Sequence, residues 1–423
     1  MDSCQPLRSP RRRVYSILGM DSLITVDLKI EKLAVGGDGL AFPEGRAVFV
    51  PGTVPGETVR AALAEDGKAD RDWTSAEVVE ILDPSPDRID PECPLYGVCG
   101  GCSLQHIAYD RQVRGKAEIL RDCLARIGGI SVLDIEVVSS EPYSCRNRMQ
   151  FHLVPSGGIG LKRRAGTEVV ETPTCPVADR PIRRWMEARE GRGRAREDLR
   201  SYLEGKDRFL VFADGRAGDN GRAGDDGRAG LGEPRVYLEG RDGEVRVPVA
   251  GRGIVFHVKS FFQSNLRALD ALVPTVVEGL SGGRVADLYC GVGLFGSFLR
   301  DSFEDLVCVE HNPFALEYAR RNAAGRTEYH ALAVEEWVKS PSARKGFEAA
   351  VLDPPRSGLS PAVRDWLAAA RIPSVSYVSC DPATLARDLR DLIGRGYRIE
   401  SVRMHDFFPQ TGHLETHVRL RWD

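Results

Sequence analysis

Arg284-Val285-Ala286-Asp287-Leu288-Tyr289-Cys290-Gly291-Val292-Gly293-Leu294-Phe295-Gly296 is the stretch on which the fold turns. It starts as a short apolar strand, breaks at glycines and resumes as a helix start. Such a turn lets backbone come close to a ligand at the carboxyl end of a strand, the arrangement of doubly wound nucleotide-binding sheets. Asp287 closes this strand, and Val307-Cys308-Val309-Glu310 closes the next. An acid about twenty residues past the glycines suits a ribose diol. The predicted class is therefore α/β with a parallel sheet, and the spacing serves NAD and S-adenosylmethionine alike.

Two stretches downstream extend the sheet. Ala350-Val351-Leu352-Asp353-Pro354-Pro355-Arg356-Ser357-Gly358-Leu359 is an apolar strand followed by Asp-Pro-Pro. That element resembles motif IV of methyltransferases, which shapes a base pocket beside the methyl donor, and a nicotinamide enzyme has no use for it. Val375-Ser376-Tyr377-Val378 reads as a buried strand. Asp381 and Pro382 then form the N-cap and first position of a helix that carries Leu385, Leu389 and Leu392. Cys380 is thereby placed at a strand end, just before the positive end of a helix dipole, which favours the thiolate. A cysteine there also serves as a small core residue. In the last strand, Leu414, Thr416, Val418, Leu420 and Trp422 alternate with Glu415, His417, Arg419 and Arg421, which predicts one polar face with Glu415 as a surface carboxylate.

Upstream, Leu266 to Leu280 has helical spacing, preceded by Phe261-Phe262-Gln263-Ser264-Asn265. Residues 23–83 hold five short β-patterned runs with glycine turns, predicting a small barrel. Cys93, Cys99 and Cys102 follow at C-x5-C-x2-C spacing, and Cys175, which like Cys93 precedes a proline, is the fourth candidate ligand. Four thiolates suit zinc and an iron–sulfur cluster alike. The radical C-x3-C-x2-C signature is absent. The helix from Tyr109 to Ile127 reads as scaffold, with Cys123 in the core. From 135 to 262 the chain is β-rich. Arg146, Asn147 and Arg148 lie among aromatics there, and Lys162-Arg163-Arg164 adds a basic cluster. Such surfaces suit single-stranded RNA, although a solvated basic face has the same composition. Residues 187–233 repeat Gly-Arg-Ala-Gly from Gly215, Gly221 and Gly227, which predicts a flexible insertion without chemistry.

Composition sets the outer bounds. The chain has 423 residues, 42% of them hydrophobic, and a net charge of −3, so any nucleic-acid surface must be local. No apolar run reaches a membrane span, and the basic residues 1–22 lack the apolar core of an export signal, so they are expected to be a disordered tail. Ten cysteines without such a signal point to a reducing compartment, the cytoplasm.

Taken in order, FFQSN, DLYCGVG, VLDPPRSGL, VSCDP and the terminal His413-Leu414-Glu415-Thr416-His417-Val418 resemble the RNA (uracil-5-)-methyltransferase family. With the cysteines and the leading barrel, the similarity is to the branch carrying a TRAM domain and a 4Fe–4S cluster, which acts on 23S ribosomal RNA. It covers nearly the whole chain apart from the tail and the insertion. The resemblance implies a Rossmann-like class I methyltransferase domain over 263–423. Ahead of it would stand a TRAM/OB-like barrel over 23–83 and a central cluster-bearing, RNA-binding domain over 84–262. It also implies S-adenosylmethionine as methyl donor and an RNA substrate, ribosomal rather than transfer RNA, with no membrane and no obligate protein partner. Cys380 is then the nucleophile and Glu415 the base. Gln263, Tyr289, Gly291, Glu310 and Asp353 line the donor and base pocket, and Cys93, Cys99, Cys102 and Cys175 hold the cluster. One departure is Leu294, where that branch carries Asn; another is the absence of a clear adenine-contacting polar residue near Ala331-Leu332-Ala333. Two rival readings are a methyltransferase acting on a base nitrogen, which needs no nucleophile, and a metal-bearing RNA-binding protein without transferase activity.

Overall fold

The computed structural model describes residues 24–64, 73–131, 134–164, 166–188, 195–215 and 235–423. The expected tail over 1–22 and the repeats from 216 to 234 lie outside these residues. The described chain divides into two compact units, one of 24–34 with 38–88 and one of 35–37 with 89–423.

The first unit is a rolled sheet. Its order is Thr25–Lys29, Thr58–Leu63, Trp73–Asp83, Ala47–Val50, Gly39–Ala41 and Lys32–Leu33. The two outermost strands are consecutive in the chain, so the sheet must curl back on itself as a barrel. Inside it Leu28, Ile30, Val48, Val50, Val59 and Ala61 form the core. At Gly39 a Cβ would lie 2.0 Å from Thr53 Oγ1, so only glycine lets the connection after Ala47–Val50 approach there.

The second unit is built on one large sheet. Its parallel strands are β1 (Gly282–Leu288), β2 (Phe303–Val309), β3 (Thr327–His330), β4 (Ala349–Leu352) and β5 (Ser374–Ser379), and they are followed by the hairpin of β6 (Tyr397–His405) and β7 (Glu415–Trp422). The order is β3-β2-β1-β4-β5-β7-β6, with Glu136–Val138 added in parallel outside β6. β7 runs antiparallel between β5 and β6. Chain order reverses beside β1, which makes the crevice above β1 and β4 the ligand edge. An antiparallel sheet, Val169–Glu171, Ile159–Lys162, Arg148–Leu153, Arg208–Ala213 and Val236–Leu238, precedes it.

Three expectations change. Residues 195–213, assigned to the flexible insertion, form the helix Ala195–Leu203 and the strand Arg208–Ala213. Leu199, Leu203, Phe209 and Val211 are buried with Phe151 and Met149, so the segment belongs to a core. The expected boundary at 262 is not a break in packing: Val247, Val249, Ile254 and Phe256 share one core with Leu269, Leu272, Val285 and Leu306. Finally, β7 has no solvated polar face. Glu415, His417 and Arg419 are buried, because the strand is interior and its side chains face packed helices and loops. Arg419 donates to the carbonyls of Thr275, Val276 and Glu278, capping the helix Leu266–Val277. Among the described residues no helix is long and apolar enough to cross a membrane.

Candidate active site and thiol centre

Strand register assembles the site. Leu288 on β1 lies opposite Val309 on β2 and Leu352 on β4, and Leu352 lies opposite Tyr377 on β5. Tyr289, Glu310, Asp353 and Cys380 therefore leave neighbouring strands at the same edge. β7 is antiparallel, so its first residue, not its last, reaches that edge. Ser379 pairs with Thr416, which puts Glu415 beside the turn carrying Cys380.

The donor turn is held by carboxylates. Gly296 N donates to Asp287 Oδ2 at 2.7 Å, while Asp287 Oδ1 is buried with no hydrogen-bond partner. Burial pushes the Asp287 carboxyl up to about 8. Glu310 accepts from Gly291 N at 3.1 Å and Asn312 N at 2.8 Å. Oε1 also lies 2.8 Å from His311 Nδ1, which leaves Oε2 with a lone pair for a ligand hydroxyl. Tyr289 adopts φ +62°, a left-handed backbone costly for a non-glycine residue, and its hydroxyl donates to Glu335 Oε1 at 3.2 Å. Gly293, at φ +78°, has room for no Cβ: one would lie 2.8 Å from Ala319 Cα. An orphaned buried acceptor beside a bare backbone cradle fits a nucleoside-bearing donor. Gln263 is half-buried two residues before Asn265, which caps the following helix by accepting from Ala268 N at 3.1 Å. Leu294 is buried in the core, so no polar donor contact comes from it.

At Cys380 the expected cap is present: Asp381 accepts from Ala383 N and Thr384 N, with Pro382 at the first turn. In the RNA-free protein burial opposes the pull of the helix dipole toward the thiolate. The Cys380 thiol is pushed up to about 11, first by burial and then by the carboxylates of Glu415 and Asp353, against which Arg356 acts. Asp353 is itself pushed up to about 7 by burial, and Glu415 is held well above the usual carboxylate range by burial and by Asp353. Alkylation of Cys380 by iodoacetamide in RNA-free protein should thus be slow at pH 7 and rise about tenfold per pH unit toward pH 10, since the thiolate fraction does. Mass spectrometry of the Cys380 peptide checks this; a plateau below pH 8 would contradict it.

Asp388 is a site-shaping residue that sequence reading missed. It is fully buried in the helix Pro382–Gly394 and takes hydrogen bonds from Leu359 N at 2.7 Å, Tyr377 Oη at 2.9 Å and Arg364 Nη1 at 2.9 Å. The Asp-Pro-Pro loop is thereby strapped to the helix that starts beyond Cys380. The available signal was an acid within the apolar face of Leu385, Leu389 and Leu392.

Elsewhere Cys93, Cys99, Cys102 and Cys175 all line one cavity, with Tyr96, Gln105 and Arg146. Among the described residues no three His, Cys, Asp or Glu side chains converge on a single ion. Four thiols on one cavity wall are a donor set that zinc and a four-iron cube both use. Burial and the neighbouring thiols raise Cys102 and Cys175, the latter to about 11.

A 23S rRNA (uracil(1939)-C(5))-methyltransferase of Salmonella paratyphi A is 32% identical over 436 residues, covering 97% of this chain and 98% of its own. The chain belongs to the RNA (uracil-5-)-methyltransferase family. Residues 341–422 match the tRNA (Uracil-5-)-methyltransferase family and residues 267–366 the Methyltransferase small domain. An RNA methyltransferase of Thermotoga maritima is 32% identical over 93% of this chain and 98% of its own. Among solved structures, the Pyrococcus abyssi tRNA (uracil-54, C5)-methyltransferase in complex with S-adenosyl-L-homocysteine superposes with a TM-score of 0.66, at 25% identity, over 93% of this chain and all of that one. This RNA uracil-5-methyltransferase is therefore an S-adenosylmethionine-dependent enzyme of the α/β class expected from its glycine turn.

Proposed function

We propose that the protein methylates carbon 5 of a uridine in ribosomal RNA through a covalent bond between Cys380 and carbon 6 of the base. The observation that carries this reading is the β5–β7 register, which brings Cys380 and Glu415 together at the edge where the donor turn lies.

Carbon 5 of uracil is a poor nucleophile. Addition of the Cys380 thiolate to carbon 6 moves an electron pair onto carbon 5 as an enolate. The bound donor supplies the electrophilic methyl group. Glu415 then removes the carbon-5 proton, the double bond re-forms and the thiolate leaves. Once ionised, the buried Glu415 carboxylate is a stronger base than one on the surface. Loss of the Cys380 proton requires the cation of Arg356 and the arriving base to outweigh the carboxylates. Gln263, Tyr289, Gly291, Glu310 and Asp353 would hold the donor and base. The target uridine must leave its stack to enter a crevice of this kind.

Ribosomal RNA is favoured because the named relatives at 32% identity over nearly their whole length act on 23S rRNA. The second reading, a transfer RNA uridine, is favoured by the full-length likeness to the Pyrococcus enzyme. Purified protein with labelled donor should place 5-methyluridine in unmodified 23S rRNA; label confined to transfer RNA would select the second reading. The thiol cavity supports a 4Fe–4S cluster on Cys93, Cys99, Cys102 and Cys175, in a structural or RNA-folding role. Anaerobic protein is expected to contain iron and acid-labile sulfide, whereas zinc without sulfide would assign the site to zinc.

A further inference from the structure

Gln410 lies in the loop between β6 and β7, five residues before Glu415, at φ +66° and almost fully buried. A left-handed glutamine persists only where its surroundings hold it. Every polar group it has is engaged. Its amide N donates to Gln112 Oε1 at 3.2 Å, and Gln112 Nε2 donates back to Gln410 Oε1 at 2.9 Å. Its Nε2 donates to Pro142 O at 3.2 Å. Its carbonyl accepts from Ser103 N at 2.9 Å and Leu104 N at 3.0 Å, the two residues directly after Cys102. Two residues on, Gly412 N donates to Ser103 Oγ at 3.1 Å.

We propose that Gln410 is a positioning residue that sets the place of Glu415 and ties it to the cysteine-bearing segment ending at Cys102. This inference rests on the reading of Glu415 as the base. Three separate segments, 103–104, Gln112 and Pro142, meet on this one side chain and its peptide. The chain from Gln410 to Glu415 is too short to absorb a slip at its start, so slack at Gln410 arrives at the carboxylate. Disorder among the cysteines reaches the same point through Ser103 and Leu104.

The base acts after methyl transfer, so a misplaced base shows as a stalled intermediate. Gln410→Ala and the milder Ser103→Ala, which removes the bond from Gly412 N and the longer one to Gly36 O, should accumulate a denaturant-stable, methyl-labelled protein–RNA adduct. Adduct release should slow about tenfold or more for Gln410→Ala, while affinity for S-adenosylhomocysteine is unchanged. Hydrogen exchange at amides 410–415 should quicken in both variants and in Cys102→Ser, a readout independent of turnover. Glu415→Gln is the control. If it traps adduct and neither variant does, or if exchange at 410–415 is unchanged, the inference fails while the reading of the base stands. If Glu415→Gln itself traps nothing, the base assignment falls and this inference with it.

Discussion

Cys380→Ala should lose turnover by about 10⁴-fold or more and form no protein–RNA adduct, whereas Glu415→Gln should lose turnover yet trap the methylated RNA on Cys380. The two variants fail at opposite ends of one sequence of bonds. Without the thiol, carbon 5 never gains nucleophilic character, so no methyl group moves. Without the base, the methyl group has already moved, and what is missing is removal of the carbon-5 proton that lets the thiolate depart. Denaturing gel electrophoresis with methyl-labelled donor and RNA separates these outcomes. Methyl transfer at wild-type rate by Cys380→Ala would remove covalent catalysis altogether and revive the rival of transfer to a base nitrogen.

Lys116→Met should destabilise the protein by about 3–5 kcal/mol, the usual cost of stranding one partner of a buried pair. Lys116 and Asp406 side chains are both fully buried, with Nζ 2.6 Å from Oδ1. Nζ also donates to Phe408 O at 2.9 Å, and Tyr109 Oη donates to Asp406 Oδ2 at 2.8 Å. Methionine matches the stem but leaves a carboxylate out of water with one neutral partner. The double variant Lys116→Met with Asp406→Leu removes both charges and should recover much of the loss, because the desolvation penalty goes with them. Urea melts of the three proteins measure this. A single-variant loss under about 1 kcal/mol would mean water reaches Asp406.

These residues show where sequence reading succeeds and where it stops. The strand–glycine–helix pattern at 284–296, the Asp381 cap and the strand ahead of Cys380 are local features, and local spacing announces them. The same alternation in β7 misled, because whether a strand lies at the edge or inside a sheet depends on partners far away in the chain. Glu415 looked solvated for that reason. Lys116 and Gln112 looked like scaffold on the helix Tyr109–Arg126, since their partners lie nearly 300 positions away. Residues 195–213 were masked by the charged, glycine-rich composition beside them. Four cysteines were legible as a set, although spacing alone does not choose between one zinc ion and a four-iron cube.

The antiparallel placement of β7 also makes the centre depend on two separate pairings. Cys380 is fixed by local folding at the end of β5, but Glu415 joins it only when the β6–β7 hairpin docks along that strand. That ladder joins residues 37 to 47 positions apart, so the base comes from a pairing separate from the strand that carries the thiol. A chain caught before docking has a thiol but no base. With the donor bound it would stand where Glu415→Gln does, able to capture a transcript and unable to release it.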